Sequence, residues 1–158
     1  MMTAPPSSAL QPGDREALAL LRENLVRLGS AVVAYSGGVD STLLLAVASE
    51  ALGKRVAAVT AVSPTLPAHE LAFAIEQARK LEVRHEVMES HELDLPEFVA
   101  NPADRCYHCK RHRFAALREW ALSVGYQHLL DGTNRDDLGE DRPGMKAAEE
   151  LGTLHPLL

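Results

Sequence analysis

The chain is short of positive charge: 16 Lys and Arg stand against 22 Asp and Glu, for a formal net charge of −6. That balance argues against a broad footprint on nucleic acid, where a basic stripe has to replace phosphate counterions. Cysteine is scarce too, with Cys106 and Cys109 the whole supply. A pair three positions apart points to metal binding or redox chemistry more often than to a structural disulfide. No apolar run approaches the length of a membrane helix. The segment Met1 to Pro12 is rich in Pro, Ser and Ala but lacks a basic region followed by an apolar one. It is therefore read as a disordered leader over residues 1–13 and not as a secretory signal, and the protein is expected in the cytoplasm. No internal repeat is visible. What remains is a length of 158 residues, 46% of them hydrophobic, enough for one domain with a real core.

Apolar spacing divides residues 14–158 into alternating helices and strands. Ala17, Leu18, Leu21, Leu25 and Leu28 predict a helix over 14–28, with Asp14 as N-cap and Gly29 just past its end. Ala31–Tyr35 predicts a first strand, 42–52 a helix stopped by Gly53, and 55–62 a second strand. A loop over 63–67 leads to a helix over 68–81 with Leu71, Ile75 and Ala78 on one face. A third strand is expected at 84–89, irregular chain over 90–107, a helix over 108–124 and a short fourth strand at 128–131. A last helix over 143–151 precedes the start of a fifth strand at 153–158. This alternation requires right-handed crossovers, so the expected class is α/β, a Rossmann-like parallel sheet with helices on both faces.

The most informative stretch lies between the first strand and its helix: Ser36, Gly37, Gly38, Val39, Asp40 and Ser41. Glycines let the backbone bend so that successive N–H groups converge, and the helix start adds unpaired donors and a positive dipole end. Ser36 and Ser41 can donate hydroxyl hydrogen bonds to phosphate. Asp40 would repel phosphate unless a cation bridges them, which calls for Mg²⁺. No lysine occurs between Ser36 and Gly53, so this is not a Walker A loop. The bland alternative is an ordinary capped strand-to-helix turn. The hexapeptide matches the SGGxDS loop of the PP-loop ATP pyrophosphatases, a resemblance that implies cleavage of ATP between its α and β phosphates.

A second segment, Gly132-Thr133-Asn134-Arg135-Asp136-Asp137, leaves the fourth strand in the same way. In open α/β sheets ligands bind outside the carboxyl ends of the strands. If strands one and four are neighbours, Thr133 and Asp137 face the first loop. Thr133 would then bond a phosphate oxygen, and Asp137 or Glu140 would hold Mg²⁺ with Asp40. Arg135 and Arg142 are available to neutralise phosphate charge. Alone, the segment reads more readily as a polar loop whose Asn and Asp satisfy backbone groups. Adenine is expected along the edge of the second strand, read by backbone groups near Thr60–Val62.

The third stretch is Arg105-Cys106-Tyr107-His108-Cys109-Lys110, which opens a locally basic run that continues through Arg111, Arg113 and Arg118. A structural zinc needs four N or S ligands, whereas Cys106, Cys109 and His112 supply three. A cluster would want a further thiolate. A redox or sulfur-carrying dithiol, with thiol pKa values lowered by Arg105 and Lys110, stands level with a purely structural role. The basic run could meet an anionic substrate or an RNA backbone, but it reads first as a solvated helix face.

With these residues in view the chain resembles one branch of the PP-loop superfamily, the LarE-type ATP-dependent sacrificial sulfur transferases of nickel-pincer cofactor maturation. The matching pieces run from Ala34 to Leu44, from Asn101 to Lys110 and from Asp131 to Asp137, followed by Arg142-Pro143-Gly144. The resemblance implies the adenine-nucleotide alpha-hydrolase fold and ATP with Mg²⁺. It implies a small-molecule carboxylate substrate of the pyridinium mononucleotide type, which ATP adenylylates before a cysteine delivers sulfur. It assigns Asp40, Asp137 and Arg142 to catalysis. Ser36–Ser41, Thr60 and Thr133 fall to the nucleotide, and Asp40, Asp137 and Glu140 to the metal. A homo-oligomer is expected. In that family the donor cysteine lies in a C-terminal domain beyond the nucleotide domain, and Cys106 and Cys109 do not match it. Residues 14–158 are therefore expected to be the adenylylating half, without the sulfur-transfer domain. Competing readings are a tRNA thiolase, an amide-forming domain like those of asparagine or NAD synthetases, and a nucleotide sensor without turnover.

Overall fold

The computed structural model describes residues 10–64, 66–91, 105–134 and 143–158, and of Arg105, Cys106, Cys109, Pro143 and Gly144 the backbone alone. Among these residues the order is α1 (Pro12–Leu28), β1 (Ala31–Ala34), α2 (Val39–Leu52), a 3-10 turn (Gly53–Arg55) and β2 (Val56–Val62). Then follow α3 (Ala68–Lys80), β3 (Arg84–Glu89), α4 (Arg105–Ser123), β4 (His128–Leu130) and α5 (Pro143–Glu150). The strands form a parallel sheet in the order β3-β2-β1-β4. Ala31 pairs with Val56 on one side of β1 and with His128 on the other. The expected α/β class and the adjacency of the first and fourth strands are both present.

β1 is buried on both faces, as a central parallel strand must be, and its short sequence AVVA carries no polar residue. Alternate side chains serve opposite layers. Ala31, Val33, Val56 and Ala58 pack with Leu25 of α1, Leu44, Leu45 and Ala48 of α2 and Ala74 and Ala78 of α3. Val32, Ala57, Val59 and Leu129 meet Phe114, Leu117 and Ala121 of α4 and Ala148 of α5. Helices thus cover both faces and leave the carboxyl ends of the strands open.

Several boundaries differ from the sequence reading, each for a local reason. α1 starts at Pro12, with Gln11 as N-cap and Asp14 inside the first turn, where its carboxylate accepts the Gln11 N–H at 3.1 Å. Proline suits that first position because its missing N–H would find no partner there. α2 starts at Val39 rather than residue 42, so Asp40 and Ser41 belong to its first turn. α3 buries Ala74 and Ala78, while Ile75 is 44% exposed. The small residues let this helix come close to the loop after β1. α4 starts at Arg105, which puts the CxxC pair on the helix and not before it. The expected fifth strand is reduced to two isolated parallel bridges, Leu130–Leu154 and Asn134–Leu157.

Candidate nucleotide site

The corner between β1 and α2 is built from its own sequence. Gly37 takes a φ of +82°, open to glycine at little cost, and a Cβ there would stand 3.1 Å from the Ala74 Cβ. Gly38 caps α2 in an ordinary extended conformation with φ −69°. Ser41 is buried. Its hydroxyl donates to the Gly38 carbonyl at 3.3 Å and accepts the Ser36 N–H at 3.4 Å. Ser36 Oγ lies 3.1 Å from Ser41 Oγ and accepts the Gly38 N–H at 3.2 Å. Both hydroxyls are thus engaged within the loop, so serving a phosphate requires Ser36 to turn its O–H away from Ser41. Helix geometry leaves the N–H groups of Val39, Asp40 and Ser41 without intrahelical acceptors, which makes them the site's fixed donors.

The β4 corner meets this loop directly. A Cβ on Gly132 would lie 2.8 Å from the Ser41 nitrogen and 3.0 Å from its Cα, so only glycine allows the two backbones this close. Asn134 Nδ2 donates to Asp40 Oδ2 at 2.8 Å. Asp131 is buried; its Oδ1 accepts the Thr133 N–H at 3.0 Å and lies 2.6 Å from His155 Nδ1. Its Oδ2 is 3.8 Å from Lys110 Nζ. Burial pushes this carboxyl's pKa up, but the hydrogen bond with His155, the Thr133 amide and the nearby His155 charge outweigh it, leaving Asp131 below the usual carboxylate value.

Between the two corners and α4 lies a cleft of about 430 Å³, within the size range of small-molecule sites. Of the expected residues, Ser36, Gly38, Val39, Asp40, Ser41, Thr60 and Thr133 line it, while Gly37 turns the loop against Ala74 and does not. Thr60 donates its hydroxyl to the Tyr35 carbonyl at 2.7 Å, so its side chain is spent on the sheet. The expected Asp137, Glu140 and Arg142, together with Arg135, lie outside the described residues, as do the side chains of Cys106 and Cys109.

The basic run is not simply a solvated face: Lys110 and Arg113 line the cleft beside Phe114 and Leu117, while Arg118 donates to the Leu151 carbonyl. The three-residue spacing of Lys110 and Arg113 on a helix was the signal for this. Gly132, Asp131 and His155 were not foreseen as site residues. Gly132 and Asp131 stood inside a motif already singled out, but nothing marked His155.

Among the described residues no three His, Cys, Asp or Glu side chains gather as a metal site. A Mg²⁺ bound with nucleotide does not need such a cluster, since one or two carboxylates plus phosphate oxygens satisfy it. Asp40, a hard oxygen donor at the loop, fits that requirement. Among the described residues no helix is long and apolar enough to cross a membrane.

Residues 30–100 match the family model described as Queuosine biosynthesis protein QueC. An uncharacterized protein of Synechocystis sp. is 45% identical over 137 residues, 87% of this chain and 51% of the relative. The pyridinium-3,5-bisthiocarboxylic acid mononucleotide synthase of Lactiplantibacillus plantarum is 34% identical over 121 residues, 76% of this chain and 44% of that protein. The chain therefore spans about half the length of the curated relatives it matches. In three dimensions it is similar to the NH3-dependent NAD synthetase of Campylobacter jejuni, with a TM-score of 0.68, 15% identity and coverage of 87% and 73% of the two chains. That likeness concerns the fold.

Proposed function

Because this chain belongs with the LarE-like PP-loop proteins, we propose that its ATP pyrophosphatase domain passes AMP to a carboxylate of a small-molecule acid of the pyridinium mononucleotide type. The observation that carries the reading is the Ser36–Ser41 corner, where a glycine-bent loop and a helix N-terminus open into a cleft next to the β4 corner. A carboxylate oxygen attacks the α-phosphorus, the bond from that phosphorus to the oxygen bridging the β-phosphate breaks, and its electron pair leaves on pyrophosphate. The product is an acyl-adenylate with AMP as a good leaving group.

The chain's part in that step is to hold charge and geometry. The N–H groups at the start of α2 face the oxygens that gain negative charge. Thr133 stands on the opposite corner as a further donor, and Lys110 and Arg113 supply positive charge from the α4 wall. Asp40, with Asp137 and Glu140, would hold Mg²⁺, which neutralises phosphate charge when bound. Arg142 and Arg135 are assigned to the leaving pyrophosphate. Adenine lies along the end of β2, where Thr60 and Ala61 line the cleft. Sulfur delivery, by the same kinship, belongs to a thiol other than Cys106 or Cys109, and the working assembly is a homo-oligomer in the cytoplasm.

Pyrophosphate release tests the reading. It is expected with Mg-ATP and a pyridinium dicarboxylate mononucleotide, with no sulfur on the product and no mass lost from Cys106 or Cys109. Release with tRNA alone would move the reading to thiolation of a base, release with ammonia and an acid would move it to amide formation, and release with none of them would overturn it.

A further inference from the structure

The segment after α5 runs back along the outer edge of β4. Leu154 N–H donates to the Leu129 carbonyl at 2.9 Å, and Asp131 N–H donates to the Leu154 carbonyl at 3.1 Å. Asn134 and Leu157 form a further bridge. Between these contacts the His155 side chain turns inward and is only 7% exposed. Its Nδ1 is 2.6 Å from Asp131 Oδ1, and a carboxylate there can only accept, so Nδ1 carries the proton.

Asp131 is the centre of this arrangement. The oxygen that meets His155 also accepts the Thr133 N–H, and the other oxygen is near Lys110. Thr133 and Lys110 both line the cleft, and the residue after Thr133 donates to Asp40. One imidazole N–H thus meets a carboxylate that two cleft groups also contact. The backbone bridges alone would seat the segment without that hydrogen bond.

We propose that His155 is a positioning residue of the nucleotide cleft, orienting Asp131 and through it Thr133 and Lys110 toward the phosphates. The effect on turnover rests on the ATP-cleaving function proposed above, while the effect on the loop does not.

The test uses the full chain and two variants. His155→Ala removes the donor, and His155→Asn places an amide N–H close to where Nδ1 stands. In His155→Ala the pyrophosphate-release kcat is expected to fall about tenfold with KM for ATP within about twofold, because the loop is displaced while the nucleotide cradle is intact. His155→Asn is expected to recover most of the rate. Independently of activity, the Thr133 backbone amide resonance should move in His155→Ala and return in His155→Asn. An unmoved Thr133 amide in His155→Ala would overturn the proposal. So would an Asn variant as impaired as the Ala variant, or a loss of rate matched entirely by loss of folded protein. If the wild-type chain releases no pyrophosphate with any acceptor, the proposed function fails while the Thr133 resonance still decides the role of His155.

Discussion

Two strands end at the cleft, and their corners are held in opposite ways. The β1 corner is stitched by its own residues: Gly38 to Ser36 across two positions and Ser36 to Ser41 across five. The β4 corner is held from afar, with Asp131 meeting His155 across 24 positions and Asn134 meeting Asp40 across 94. A corner of the first kind takes its shape as soon as its strand and helix are in place. One of the second kind exists only when α4, the segment after α5 and the first corner have all assembled around it. The phosphate cradle is thus local, and the groups set opposite to it are a product of the whole fold.

The contact between the corners is where that difference is easiest to break. Gly132→Ala puts a Cβ 2.8 Å from a backbone nitrogen of α2, an atom that cannot yield as a side chain would. Overpacking against backbone is expected to cost about 2–3 kcal/mol and to separate the corners. Calorimetry should then show Mg-ATP binding lost. Gly38→Ala is the control, because its Cβ would meet only the Ser36 hydroxyl, at 3.3 Å. It should cost about 1 kcal/mol or less, through the poorer N-cap.

A milder intervention cuts the side-chain hydrogen bond from Asn134 to Asp40 that joins the corners. Asn134→Ala and Asp40→Ala, alone and together, form a double-mutant cycle. If the Asn134 amide orients the Asp40 carboxylate, chemical denaturation should give a coupling of about 1 kcal/mol, as for a partly exposed hydrogen bond to a charged acceptor. Zero coupling would mean that the corners are independent and that the contrast between them is only one of sequence distance.

The same contrast explains what the sequence disclosed. Ser36–Ser41 was legible because its glycines, hydroxyls and flanking apolar runs are adjacent in the chain, and β3 was placed at its true limits by the same local logic. The start of α1 departs from the expected Asp14 cap because Pro12 already fits the first helical position. Hydrophobicity alone puts Ile75 inside, yet alanines occupy that face because α3 has to approach Gly37 closely. His155 was invisible for a deeper reason. Its importance comes from a partner 24 residues away, on another element, and no spacing rule connects the two.

The β1 corner is also tethered from β2, and the smallest effect is expected there. Thr60 donates its hydroxyl to the Tyr35 carbonyl, just before the loop, so the same oxygen must accept from His85, whose Nε2 is 2.7 Å away. That fixes the His85 proton on Nε2. Burial lowers the His85 pKa from its ordinary 6.5, with the charge of Glu86 opposing in part. The unfolded chain therefore takes up this proton at higher pH than the folded one. The stability tied to neutral His85 is fully present above about pH 6.5 and is lost as the pH falls from there through the folded value. Asp131 does not confuse this window: its depressed carboxyl contributes stability that is lost only below the ordinary carboxylate range. His85→Gln keeps an amide donor for Thr60 but removes the titration. Between pH 7 and pH 5 the melting temperature of the wild-type chain should fall more steeply than that of His85→Gln. Equal slopes would show that His85 does not titrate with folding, and the β1 corner would then depend on its own residues even more completely than the contrast with β4 requires.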